Sequence, residues 1–213
     1  MKKQQIVQNR SKYSTFKRIR VLGASLAAVA ALCGSTAIVA ASTASTTVSS
    51  TVSPVIGLFT TGGTVNVNVL PTGAGAQTLA SDTVTVSTND SSGYTLQLAE
   101  TGAISTLTSG SNTIPASSGT QASPTAMLAN TWGYRVDGVG GFGAGPTSGQ
   151  SSTAISGSIK FAAVPATASP NTLKTTAGTA SNDTTTVWYG TAANTSQASG
   201  TYTNSVTYTL TAN

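Results

Sequence analysis

Acid–base and metal chemistry depend on a few residue types, and this sequence is poor in all of them. The chain has no His, one Cys and five acidic residues in 213. It therefore lacks the commonest general base and metal ligand, and one Cys makes neither an internal disulfide nor a Cys-based zinc site. Glycoside hydrolysis needs two carboxylates about 5 to 9.5 Å apart, and these acids are scattered. We expect no enzymatic activity, no cofactor and no metal.

A glycine-rich stretch at residues 138–143 formally matches the dinucleotide-binding pattern G-x-G-x-x-G. That pattern works only between a strand and a helix, where the helix N-terminus meets the pyrophosphate. Here it continues into a Gly, Pro, Thr and Ser stretch that cannot open a helix. The stretch predicts a flexible loop rather than a nucleotide site. Phe142, near the tip of that loop, is predicted to be exposed and to contact a ligand.

The remaining candidates for binding are aromatic. Trp132-Gly133-Tyr134 and Trp188-Tyr189 are expected to put large rings on both faces of a strand, with at least one ring per pair pointing outward or toward a loop. Aromatic faces near Asn, Thr and Ser are typical of glycan contacts. The possible ligand contacts are therefore Trp132, Tyr134, Phe142 and Trp188. The alternative is that both Trp residues fill a hydrophobic core.

The positions of the charges indicate export. Seven of the ten Lys and Arg residues lie in the first 20 residues, and an apolar stretch follows over residues 21–41. A positive region, an apolar region and small residues at its end are typical of a secretory signal. Residues 1–41 are predicted to be a signal peptide cleaved after Ala41, and the rest to be extracellular or on the cell surface. An uncleaved membrane anchor is the alternative, since about 20 apolar residues can span a bilayer.

Beyond Ala41 the chain is mildly acidic. It carries three basic and five acidic residues there, a net charge of −2, so the pI of 9.6 reflects the export signal. A nucleic-acid surface needs clustered Lys and Arg, and the three cations are dispersed. We expect no nucleic-acid partner, and a membrane contact only through an uncleaved N-terminal segment.

The exported part reads as an all-β chain. Residues 42–53 are Ser- and Thr-rich and are predicted to be a linker or a peripheral strand. Residues 54–213 show period-two alternation, with Val, Tyr or Leu on one face and Thr, Ser or Asn on the other. They predict a single antiparallel β-sandwich, Ig-like or jelly-roll-like, with long loops at 101–130 and 137–157. The predicted strands lie near residues 65–69, 83–87, 94–98, 132–136, 158–164, 184–190 and 202–211.

Two segments carry a family resemblance. Ser92-Gly93-Tyr94-Thr95-Leu96, and residues 202–210 with Val206 and Tyr208, resemble the two motifs of the WxL domain of Gram-positive cell-surface proteins, with Tyr in place of both motif Trp residues. The family's trailing Pro is missing. Residues 52–56 and 93–96 are also similar to segments of small secreted Ser/Thr-rich β-proteins of candidate-phylum bacteria. The resemblance implies an exported β-sandwich held non-covalently on the cell wall, and peptidoglycan is the attachment partner that it suggests.

These observations favour a secreted, non-enzymatic structural or adhesive protein of the cell surface, non-covalently associated with the envelope. The alternative is a glycan- or peptidoglycan-binding module, whose partner would be an envelope or surface glycan. Self-association by strand exchange is a third expectation, because residues 42–53 could complete the sheet of a neighbouring molecule.

Overall fold

A computed structural model describes residues 41–213, and the predicted signal segment 1–40, including the membrane-anchor alternative, lies outside the described residues. Within residues 41–213 every regular element is a β-strand, and no helix there could cross a membrane. All ladders between these strands are antiparallel. The prediction of an all-β, antiparallel chain is confirmed.

Twelve strands form in this part of the chain. They are β1 (Ile56–Thr60), β2 (Ala76–Thr88), β3 (Tyr94–Glu100), β4 (Leu107–Ser109), β5 (Asn112–Ile114), β6 (Thr125–Ala126), β7 (Thr131–Val136), β8 (Gln150–Ser152), β9 (Lys160–Phe161), β10 (Asn171–Thr175), β11 (Ala180–Ala193) and β12 (Val206–Ala212). The predicted long loops therefore contain short strands.

The larger sheet has the order β1-β2-β11-β7, and β8 also pairs with β2. Its centre is the long ladder between β2 and β11, which runs from Ala76 opposite Ala193 to Val86 opposite Asp183 and continues past a bulge. Val and Thr alternate over residues 83–86 of β2, and β11 carries three successive Thr before Val187; β-branched residues favour the pleated backbone. This ladder is the frame on which the other elements are placed.

The smaller sheet has the order β10-β3-β12, and its inner face packs on one face of the larger sheet. Tyr94, Leu96 and Leu98 of β3 share a buried cluster with Val84 and Val86 of β2. The five-residue connection between β2 and β3 turns the chain from one sheet to the other; its last residue, Gly93, has a φ of +87°, which favours glycine. Two packed antiparallel sheets make this part of the molecule sandwich-like.

A second apolar cluster covers the opposite face of the larger sheet. Leu79 of β2 and Trp188 and Ala192 of β11 meet Met127 and Phe161, which come from the connections around β6 and β9. Phe161 passes so close to β11 that a Cβ at Gly190 would lie 2.6 Å from its ring. The central strands are therefore buried on both faces along part of their length.

Between residue 41 and β1 the chain forms no strand. Residues 41–49 are grouped apart from the compact unit Ser50–Asn213, and residues 41–55 are exposed, without a turn or bend. The first anchored residues are Ser53, whose carbonyl accepts from Asn89 Nδ2 at 3.0 Å, and Val55, whose N–H donates to Asn89 Oδ1 at 2.6 Å. Residues 41–55 join no ladder in the described part of the chain.

Candidate functional site

The two predicted ligand contacts on β7 lie in the main core. Trp132 and Tyr134 are two residues apart, so both point to the same face of the strand, and both are buried. Trp132 Nε1 donates to the Ser105 carbonyl at 2.8 Å, and the Tyr134 hydroxyl donates to Gln121 Oε1 at 2.8 Å. Burial raises the pKa of Tyr134 to about 12. Neither ring points outward, although Trp132 contacts the loop residue Ser105, and the expectation of large rings on both faces of this strand is wrong.

The pair on β11 is divided between the two clusters. Tyr189 faces the main core, and Trp188 faces the second cluster, where its Nε1 donates to Asp137 Oδ2 at 3.2 Å. Adjacent residues do point to opposite faces of a strand, but here both faces are covered. Neither ring of this pair points outward, because Trp188 packs against Met127 and Phe161 on the second face.

Phe142 is 4% exposed, and the expectation of an exposed ring is wrong. Its ring meets the ring of Tyr134 edge-on, with centroids 5.5 Å apart. Buried Arg135 holds the loop in place: its guanidinium pairs with Asp137 at 3.0 Å and donates to the Phe142 and Gly143 carbonyls. The predicted flexible loop is thus tied to the core by a buried cation and an aromatic contact.

The feature that does remain open is a cavity of about 770 Å³ at one side of the two sheets. One wall is residues 62–69, and the other is β12 with the residues that lead into it. Its floor combines apolar and aromatic groups with one acid: Asp82, Leu107, Ile114, Trp132, Tyr189 and Tyr208. Trp132 is thus the one predicted contact that borders this cavity. We call the cavity with its two walls the seam.

The first wall has a strand's sequence pattern without a strand's partner. Val65, Val67 and Val69 are half-buried and alternate with exposed Asn66 and Asn68, and residues 64–70 run without a bend. Among residues 41–213, no hydrogen bond joins the backbone of residues 62–70 to another group. The strand predicted near residues 65–69 is therefore wrong as a paired strand, although the alternation it was based on is present.

Both ends of this wall are fixed. At its start, Thr61 donates from its N–H and from its hydroxyl to Asp82 Oδ1, at 3.1 and 2.8 Å. At its end, Thr72 forms a parallel bridge with Asn194, next to β11. The wall is thus a strap anchored at both ends, with unpaired backbone groups between them.

The second wall is a sheet edge. Ser205 and Asn213, at the two ends of β12, bond to the chain of β3 through Thr101 and Gly93. Because hydrogen-bonded and non-hydrogen-bonded positions alternate in an antiparallel ladder, Val206 and alternate residues after it direct their N–H and C=O groups away from β3. No strand of the described part of the chain pairs with this edge.

The polar groups in the floor of the seam do not form an acid–base pair. The Tyr189 and Tyr208 hydroxyls lie 2.8 Å apart. Burial raises the pKa of both phenols, and the carboxylate of Asp82 raises them further. Both rings therefore stay neutral at physiological pH, and Asp82 already accepts two hydrogen bonds from Thr61. Such a floor can contact a ligand but offers no general acid and base pair.

A buried acid lies at the end of β3, opposite Val206 of β12. Glu100 is 1% exposed, and neither of its carboxylate oxygens has a hydrogen-bond partner among the described residues. Burial raises the pKa of Glu100 to about 7, and the nearby Asn204 amide lowers it only in part, since that amide donates to the Ile104 carbonyl at 2.8 Å. Sequence analysis missed this residue because nothing in its spacing marks it.

No group of three or more His, Cys, Asp or Glu residues in the described part of the chain could hold a metal ion. The strands of the two WxL-like motifs are neighbours, with Tyr94 opposite Ala212 and Leu96 opposite Leu210. Comparison with family models, curated proteins and solved structures finds no match to this chain.

Proposed function

We propose that this chain is an exported, non-enzymatic structural or adhesive protein of the cell surface, non-covalently associated with the envelope. The observation that carries the proposal is the seam, where two strand-like stretches of backbone border one cavity without a partner. An extended polymer can satisfy such groups along its whole length. A small substrate would leave most of them unpaired.

The chemistry of the described residues supports the same proposal. The one acid that lines the seam, Asp82, already accepts two hydrogen bonds, and the paired tyrosines Tyr189 and Tyr208 stay neutral. The charged pattern of residues 1–20 and the apolar stretch after it support export. A sandwich of Ig-like or jelly-roll-like type, left open on one side, and the WxL-like motifs at Tyr94 and Tyr208 fit a protein that works outside the cell.

The proposal is tested by where the protein is found. Cells that express the full chain are fractionated, and intact cells are treated with a membrane-impermeant amine reagent that labels the exposed Lys160. We expect a labelled protein in the envelope or the medium, released from the wall by denaturant without covalent cleavage. A protein that is found in the cytoplasm and is not labelled would contradict the proposal.

A glycan-binding module is the second candidate, and the composition of the seam favours it. Trp132, Tyr202 and Tyr208 line the cavity together with Asn66 and Asn68, and aromatic faces with amides can contact sugars. Isothermal titration with peptidoglycan fragments and a glycan array tests this candidate. Specific binding that is lost in Tyr202→Ala would support it, because Tyr202 is half-buried and lines the cavity, and the outward Thr207→Ala is the control.

A further inference from the structure

We infer that the seam accepts the N-terminal segment of a second copy, residues 44–53, as an added β-strand. This inference deepens the proposed function and rests on it in one respect, because the copies must meet outside the cell. Each molecule would donate its segment and accept another, so the contact is head-to-tail and can continue into a chain of subunits.

The seam is long enough to hold a strand. One side is the unpaired edge of β12 and the other is the unpaired strap of residues 62–70. Nine extended residues span about 30 Å. A strand placed between the two walls could hydrogen-bond on both of its edges, and its inward side chains would cover the half-buried Val65, Val67 and Val206.

Residues 44–53 have the pattern of such a strand. Ala44, Val48 and Val52 are spaced four positions apart, so a strand would put all three on one face. The other face would carry only hydroxyl side chains, those of Ser45, Thr47, Ser49, Thr51 and Ser53. Ten extended residues span about 33 Å, which matches the length of the strap.

Apart from Ser53, whose carbonyl accepts from Asn89 Nδ2, the segment has no partner in the described part of the molecule. Val48 is 89% exposed and Val52 is 79% exposed. No residue of 41–52 takes part in a hydrogen bond there. The segment also carries no charge, so its burial in the seam would strip water from no ionised group.

Chain connectivity favours a second copy over insertion within one molecule. Val55 is held next to Asn89, and the chain then runs along β1 before it reaches the strap. β1 alone covers five residues, about 17 Å of extended chain. A tail that returned along β1 would use about half of residues 44–53 and could fill only part of the seam.

The first test measures self-association of the secreted full chain by size-exclusion chromatography with light scattering over a range of concentrations. The variant Val48→Asp with Val52→Asp puts charges on the inward face of the donated strand. The matched control, Thr47→Asp with Thr51→Asp, puts the same charges on the outward face. All four positions are exposed, so none of the substitutions removes a contact of the folded molecule.

We expect oligomers for the unmodified protein and for the control, and at least tenfold weaker association for the Val variant. Equal association of the two variants would overturn the inference, and so would a protein that is monomeric at every concentration. Neither result would contradict the proposed function if the protein is still found at the cell surface. Glycan binding in the seam by a protein that stays monomeric would overturn the inference and favour the second candidate function.

The second test identifies the contact directly in a Cys33→Ala background, which removes the only Cys. A Ser49→Cys protein is mixed with an Asn66→Cys protein under mild oxidation. Both side chains would lie on the outward faces of adjacent strands. We expect a disulfide-linked heterodimer, identified by peptide mass spectrometry, and not with Thr179→Cys as the acceptor. Equal cross-linking to Asn66→Cys and Thr179→Cys would overturn the inference.

Discussion

The β2–β11 ladder and the seam use the same kind of sequence to different ends. In both, Val alternates with small polar residues. In the ladder each residue has a partner strand, and buried clusters cover both faces of part of the sheet. In the seam the strap and the edge of β12 meet only a cavity. Alternation therefore determines which side chains of a strand face inward. Whether the backbone groups along its edges are paired depends on the segments that lie beside it.

The largest difference in stability is expected between a ring that covers the β2–β11 ladder and a ring on the surface of β1. Phe161→Ala removes a fully buried ring of the second cluster and should lower the free energy of unfolding by about 3–5 kcal/mol. Phe59→Ala removes a ring that is 65% exposed on β1 and should cost less than about 0.5 kcal/mol. Urea denaturation of both variants measures the difference. Similar losses would show that the second cluster is not a packed core.

Glu100, at the end of β3, is expected to make the free energy of unfolding depend on pH. Its pKa is about 7 in the folded protein and has an ordinary value of 4.5. Between these values the folded protein keeps a proton that the unfolded chain releases, so the free energy of unfolding should fall as the pH rises from 4.5 to 7. The fall should be about 3 kcal/mol, at 1.36 kcal/mol per pH unit.

Glu100→Gln keeps the shape of the side chain and removes this titration. Denaturation midpoints between pH 4.5 and 8 should therefore flatten, and the variant should be the more stable protein at pH 8. Asp90→Asn is the control, because Asn can still accept the turn hydrogen bond from the Ser92 N–H. An unchanged slope in Glu100→Gln would contradict this account of the buried acid.

Asp183 is expected to change the free energy of unfolding with pH in the opposite direction to Glu100, and at lower pH. Although burial opposes it, hydrogen bonds from Lys174 and Tyr94 lower the pKa of Asp183 below 3.8. Its stabilisation is therefore present above 3.8 and is lost as the pH falls through the folded value. Denaturation of Asp183→Asn should show reduced stability near pH 6, by about 1–2 kcal/mol, and a smaller deficit below pH 3. A constant deficit at every pH would contradict the pairing.

The smallest expected difference compares two valines of the same pattern. Val84→Ala in the ladder removes two methyl groups from a fully buried site and should cost about 2 kcal/mol. Val67→Ala in the strap should cost about 1 kcal/mol or less, because Val67 is only half-buried. Both substitutions are measured in the Val48→Asp, Val52→Asp background, where association does not contribute. Equal costs would indicate that the strap is packed as tightly as the ladder.

The sequence predicted the elements whose signal is local. Strands β2, β3, β7 and β11 were all expected near their observed positions, because long runs of alternating residues record their buried faces. Strands β4, β5 and β8 were missed, since three residues are too few to show a period.

The site could not be predicted in the same way, because burial depends on residues far apart in the chain. Trp188 was predicted to be a ligand contact, but Met127 and Phe161, which are distant in the sequence, cover its face of the strand. Phe142 was predicted to be exposed in a glycine loop, but Arg135 donates a hydrogen bond to its carbonyl and Tyr134 packs against its ring. The valines of the strap were recognised, but nothing in their spacing shows that their backbone lacks a partner.

Amide hydrogen exchange tests the central claim, that the seam is a strand position filled by a second copy, most directly. The unmodified protein is compared with the Val48→Asp, Val52→Asp variant at equal concentration, with the β2–β11 amides as the internal reference. We predict at least tenfold slower exchange in the unmodified protein at residues 62–70 and at Tyr208 and Leu210, and equal protection in β2 and β11. Equal exchange at the seam in both proteins would contradict the account.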